Sequence, residues 1–153
     1  MKEPQTYDLK RCPCCGGQAD QPQYIGHMSG TGCYVRCTSC WLTTRLFSPK
    51  VSSLEEARKL AADIWNLRSA HAAVLDAETG MLSCPCCGHR AWEPHYTNTA
   101  LHSTGYSVYC RKCGLSTYSV STRDGKSKEA AIAAVTAVWN TRVSVATEAL
   151  CPE

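Results

Sequence analysis

The sequence carries little charge of either sign: charged residues make up 19%, and 16 Lys+Arg stand against 13 Asp+Glu, for a formal net charge of +3. That balance argues against a broad phosphate-neutralising surface. No stretch approaches the roughly 20 apolar residues of a membrane span, so a membrane is not expected as a partner. The amino-terminal residues lack the basic start, apolar run and small-residue cleavage site of a secretory signal, and a cytoplasmic location is the expectation. Gly-rich phosphate loops, a nucleophile elbow and paired carboxylates are also missing. Neither an enzyme nor a small-molecule substrate is expected.

Cysteine, by contrast, is abundant, with 12 residues in a chain of 153. Cys12-Pro13-Cys14-Cys15-Gly16 returns as Cys84-Pro85-Cys86-Cys87-Gly88, 72 positions later. A second pair, Cys37-x-x-Cys40, returns as Cys110-x-x-Cys113 at an offset of 73, and Trp65-Asn66-x-Arg68 returns as Trp139-Asn140-x-Arg142 at 74. The chain is a duplicated module: residues 1–70, a join over 71–82, and residues 83–153. Units this small bury little surface and usually need a staple. In a reducing compartment, paired C-x-x-C spacings favour metal over disulfides. The five histidines, His27, His71, His89, His95 and His102, share no repeat position and read as surface or loop residues; a ligand role for His89 is not needed.

Cys12, Cys15, Cys37 and Cys40 form one predicted ligand set, and Cys84, Cys87, Cys110 and Cys113 the other. Zn²⁺, one ion per set, is favoured over disulfides or an iron–sulfur cluster. Four thiolates leave no open coordination position, so the metal holds the fold. Each filled site carries a charge of about −2, which moves the formal total to about −1. Cys14 and Cys86 lie between ligands, as loop residues or as substitutes for Cys15 and Cys87; Cys33 and Cys151 read as free thiols.

The predicted fold is α+β: two tandem zinc ribbons, each with short antiparallel strands and one C-terminal helix. In the first, strands are expected at 23–27, 33–37 and 42–47. A helix follows, capped by Ser52 or Ser53 with Glu55 or Glu56 three residues on, and burying Leu54, Ala57, Leu60, Ala61, Ile64 and Trp65. Residues 71–77 can extend it. The second unit repeats the plan, with strands at 91–97, 106–110 and 115–121, a turn at Asp124-Gly125, and a helix from Ser127 to about Val143. That helix is expected to bury Ala131, Ala134, Val135, Val138 and Trp139. Residues 144–153 read as a tail.

For nucleic acid, the candidates are Arg36, Trp41 and Arg45 in the first unit, and Arg111, Lys112, Tyr118 and Arg123 in the second. They combine aromatic faces with cations. The plainer reading, a solvated rim with packed strand aromatics, is favoured at this net charge.

Leu9-Lys10-x-Cys12-Pro13-x-Cys15-Gly16-Gly17, Tyr34-Val35-x-Cys37-x-x-Cys40, Glu56-Ala57 and Trp65-Asn66-x-Arg68 resemble the Lar-type restriction alleviation family, small zinc-ribbon proteins of phages and prophages. Cys84-Pro85-x-Cys87-Gly88, Cys110-x-x-Cys113-Gly114, Glu129-Ala130 and Trp139-Asn140-x-Arg142 match it a second time. The family is usually a single module. It usually has an aromatic where Cys14 and Cys86 stand, and a glycine where Trp41 stands. The resemblance implies a phage-type counter-defence protein that binds and modulates a host defence complex, first a type I restriction–modification enzyme and alternatively CRISPR machinery. A nucleic-acid-binding regulator is the other reading.

Overall fold

The computed structural model describes residues 5–27, 30–49, 53–68, 72–97, 104–123 and 125–142. Expectations for Ser52, His71, His102, Asp124, Val143, Cys151 and the tail 144–153 lie outside the described residues, as does the side chain of His27.

Each unit is a β-hairpin followed by a helix. Strands β1 (Gln23–His27) and β2 (Gly30–Tyr34) pair antiparallel, with Tyr24 opposite Cys33, and helix α1 spans Leu54–Asn66. In the second unit β3 (His95–Thr97) pairs with β4 (Gly105–Ser107), Tyr96 opposite Tyr106, and α2 spans Lys128–Asn140. The strand expected over 91–97 starts only at His95, because Pro94 has no N–H to give a ladder.

The strands expected at 42–47 and 115–121 are laid against the hairpins by isolated bridges instead of a ladder. Cys33 pairs with Phe47 and Arg36 with Thr43; Tyr106 pairs with Val120 and Tyr109 with Ser116. Between these pairs two residues on one side thus face three on the other, which is a β-bulge. Side chains fill the broken pairing. The Val35 N–H donates to Thr44 Oγ1 at 3.0 Å and Thr43 Oγ1 donates to the Val35 carbonyl at 3.1 Å. Val108, Thr117 and Ser116 repeat both bonds at the same lengths.

The bulged segment lies so close to the hairpin that one position tolerates no side chain. A Cβ at Gly32 would sit 2.9 Å from the Phe47 carbonyl carbon, and one at the equivalent Gly105 would sit 2.6 Å from that of Val120. Gly105→Ala should therefore cost about 1–3 kcal/mol through forced overpacking. Urea unfolding followed by circular dichroism would show it; an unchanged midpoint would mean that the bulge gives way freely.

Ser53 caps α1 by accepting the Glu56 N–H, and Ser127 caps α2 by accepting that of Ala130. The buried faces are Ala57, Ala61, Ala62 and Trp65 in α1, and Ala131, Val135 and Trp139 in α2. Ala57 and Ala61, four residues apart, let α1 lie close on its hairpin, and Ala131 and Val135 take the same places in α2. Two residues of the expected face are corrected: Leu54 and Leu60 are 42% and 41% exposed. Leu54 sits in the first turn, and Leu60 is about 100° round from Ala61. Ile64, Ala134 and Val138 are only partly buried.

Helix α1 ends at Asn66, with Leu67 as its C-cap. Residues 72–83 contain a tight turn instead of further helix. Asp76 accepts the Glu78 and Thr79 N–H groups at 3.0 Å, Leu75 bridges to Leu82, and Met81 is buried.

The two units pack against each other. Thr43 N–H donates to the Ser116 carbonyl and Ser116 N–H to that of Thr43, both at 2.8 Å. The two residues are equivalent repeat positions, so the pair lies on a pseudo-two-fold axis. One continuous cluster of buried residues, including Leu42, Val35, Trp65, Val108, Leu115 and Trp139, runs through both units. Among the described residues no helix is long and apolar enough to cross a membrane.

Candidate metal centres

Each cysteine pair sits in a tight knuckle. The Gly16 N–H returns to the Cys12 carbonyl at 3.0 Å, Gly88 to Cys84 at 2.9 Å and Gly114 to Cys110 at 2.8 Å. All three glycines have positive φ, between 71° and 77°. The fourth equivalent position is Trp41, which adopts φ 63° and is the only described non-glycine residue with positive φ. Backbone amides also face the sulfurs: Ser39 N–H points at Cys37 Sγ (3.3 Å) and Gly17 N–H at Cys15 Sγ (3.4 Å).

The knuckles bring the thiols of each predicted set together, with all four Sγ atoms within 4.8 Å of one another. Cys12–Cys40 and Cys15–Cys37 are 3.5 Å apart; Cys84–Cys113 and Cys87–Cys110 are 3.5 and 3.4 Å. A tetrahedral ion with metal–sulfur bonds of about 2.3 Å has sulfur–sulfur edges of about 3.8 Å. A disulfide needs about 2.05 Å. The residues present therefore fit a four-thiolate metal ion, and the described cysteines are all unpaired. Cys14 and Cys86 stay outside both sets and are buried. Cys33 is a buried free thiol in β2, and burial pushes its pKa up.

The close thiols of each set perturb one another strongly. Side-chain hydrogen bonds from Cys14 and Cys40 push Cys12 down to about 2. Those of Cys113 and Cys84 hold Cys110 far below the ordinary thiol range. Their neighbours are driven the other way. Cys40 is pushed far up by its bond to Cys12, and Cys84 and Cys113 by theirs to Cys110. A bound dication would replace the thiol protons of each set.

The repeated Trp-Asn-x-Arg carries the segment leading into each first knuckle. Trp65 Nε1 donates to the Lys10 carbonyl at 2.8 Å, and Asn66 accepts the Lys10 N–H at 2.8 Å while donating to the Asp8 carbonyl at 2.7 Å. Trp139 and Asn140 do the same to Leu82 and Gly80 at the same distances. Arg68 donates to the Arg11 carbonyl at 2.7 Å, and Arg142 to that of Ser83 at 2.9 Å. These carbonyls belong to the residues immediately before Cys12 and Cys84. The motif is thus a three-residue clamp on the backbone that delivers the first ligand.

Of the nucleic-acid candidates, Arg36 and Trp41 come together, with the guanidinium 4.2 Å from the indole centroid, and Arg36 also pairs with Asp20 at 3.7 Å. Arg45 lies over Phe47 at 4.9 Å and against Gly114. Lys112 and Arg123 are exposed, and Tyr118 packs against the core. Arg111 lies over Trp92, a residue absent from the predicted set. Trp92, His95 and Tyr109 form an aromatic cluster, with Trp92–Tyr109 centroids 4.9 Å apart, and burial lowers the His95 pKa. The repeat carried a signal for this cluster: Trp92 and Tyr109 stand where the first unit has the ion pair Asp20 and Arg36. His89 is exposed and offers its carbonyl, not its ring, to the Cys84 N–H. Comparison with protein-family models, with curated proteins and with solved structures finds no match to the chain.

Proposed function

We propose that this protein is a zinc-scaffolded binding protein of the phage counter-defence type, with one structural Zn²⁺ in each four-cysteine set and no reaction of its own. Its partner is a host defence complex in the bacterial cytoplasm. The repeated motifs make a type I restriction–modification enzyme the first candidate, ahead of CRISPR machinery. Soft thiolate donors at tetrahedral spacing favour Zn²⁺.

Trp41 carries the reading. It is 50% exposed and holds a left-handed backbone conformation that its counterpart Gly114 adopts without strain. For a bulky residue that conformation costs on the order of 1–2 kcal/mol. An aromatic kept on the surface at that cost, with Arg36 against its face, fits a contact hot spot, where Trp and Arg are enriched. The same stacked pair favours the second reading, in which a nucleobase stacks on Trp41.

Trp41→Gly separates surface from scaffold. Unfolding free energy should change by less than about 1 kcal/mol, since relief of strain offsets the added chain entropy. Capture of the partner from nuclease-treated host lysate should be lost. A stoichiometric host protein held by the unaltered chain through high salt, and released by Trp41→Gly, supports the reading. Capture of nucleic acid alone, released by salt, replaces it with the second reading.

A further inference from the structure

The last arginine of each clamp does not stop at its own unit. Arg142 Nη1 donates to the Trp139 and Thr141 carbonyls and also to Cys14 Sγ of the first unit, at 3.4 Å. Arg68 Nη1 donates to the Trp65 and Leu67 carbonyls and also to Cys86 Sγ of the second unit, at 3.8 Å. The exchange is reciprocal, as the pseudo-two-fold axis requires. Cys14 lies between ligands Cys12 and Cys15, is buried, and its thiol also faces the Trp139 carbonyl of the second unit at 3.9 Å. Cys86 lies in the same way between ligands Cys84 and Cys87 and is buried. Each ligand set is thus one thiol away from the other unit's guanidinium.

The charges give this arrangement a use. Each filled four-thiolate centre carries about −2, and two such centres share one small body. Thiolates that accept hydrogen bonds and face a cation hold a dication more firmly than bare ones. Arg142 Nε is buried with no hydrogen-bond partner, so the side chain is held inside although one of its donors is left unused.

We propose that Arg68 and Arg142 act across the junction, each stabilising the charge of the opposite unit's metal centre through the non-ligand cysteine between its first two ligands. Cys14 and Cys86 are then relays, and the two centres are coupled: filling one orders the clamp arginine that supports the other. This deepens the structural-zinc part of the proposed function and rests on a dication occupying each set.

The full-length chain loaded with ¹¹³Cd²⁺ tests it. The unaltered protein should show two cadmium resonances, each assigned through its own cysteine protons. Chelator-induced loss is then followed at each resonance. Arg142→Ala should speed loss from the Cys12, Cys15, Cys37 and Cys40 set by about tenfold or more, as outer-shell substitutions do. The effect on its own set should be smaller, and Arg68→Ala should show the mirror pattern. Arg142→Lys keeps the charge but not the planar fork, and should fall between the unaltered and the alanine rates at the opposite centre. Faster loss confined to each arginine's own set would reduce the residue to a clamp and overturn the coupling, as would a lysine variant that behaves like the alanine one. An unaltered chain with no cadmium resonance would overturn the metal reading as well.

Discussion

Cys37→Ser should unfold both units together. Metal binding in small cysteine sites supplies about 10–16 kcal/mol of folding free energy, as much as the whole stability of a typical domain, about 5–15 kcal/mol. Removing one of four thiolates therefore removes most of what holds the first unit. The second unit does not stand clear of that loss. Ser116 would lose both backbone bonds to Thr43, and Leu115 and Val108 share one buried cluster with Leu42 and Val35. Cys86, 0% exposed, would lose the Arg68 side of its surroundings. Amide spectra of the full-length variant would report the outcome unit by unit. Collapse of the Cys84–Trp139 resonances alongside those of the first unit is the expected result. A second unit that keeps its native spectrum would show that the junction contributes little, and that each ribbon folds on its own metal.

What the sequence made legible was mostly what backbone geometry forces. Thiols three apart with glycine following suit one kind of turn, so the ligand sets and the knuckles could be read directly, while the left-handed residue could be Gly16 or Gly17 and is Gly16. Ser52 or Ser53 with Glu55 or Glu56 marked the start of α1 for a similar reason, and Ser53 is the cap. Residues whose role depends on distant partners were harder. Thr43, Thr44, Ser116 and Thr117 look like ordinary strand residues, yet their hydroxyls replace ladder bonds at a bulge. Helical periodicity placed Leu54 and Leu60 inside, because it cannot say how far the hairpin extends beneath the helix. Residues 72–77 continue a helical pattern locally. Asp76 instead gathers the Glu78 and Thr79 amides into a turn, and the Asn140 side chain holds Gly80 and Leu82 from 58–60 positions away. Arg68 and Arg142 were visible as a repeated letter, but the partner of each lies in the other copy. A duplication read as two parallel modules does not reveal that exchange.

Trp139→Ala is expected to have the second large effect, and Trp139→Phe divides it into parts. The indole is fully buried and is among the largest fully buried side chains of the core. Truncating a buried tryptophan to alanine costs about 3–5 kcal/mol through lost burial and the cavity left behind. Here the indole N–H also carries the Leu82 carbonyl at 2.8 Å, two residues before Cys84. Leaving this part-buried acceptor unpaired adds up to about 1–3 kcal/mol. Phenylalanine restores most of the volume but not the donor, so Trp139→Phe should lose chiefly the hydrogen-bond part and Trp139→Ala the whole. The clamp gives the pair a second readout. If Trp139 positions the backbone that delivers Cys84, the phenylalanine variant should release metal from the Cys84, Cys87, Cys110 and Cys113 set faster than its modest loss of stability alone explains. Equal stability of the phenylalanine variant and the unaltered chain, with unchanged metal release, would show that burial of the ring is the tryptophan's whole contribution. Asn140, donating to Gly80 and accepting from Leu82, and Arg142, donating to Ser83, would then hold the approach to the second knuckle.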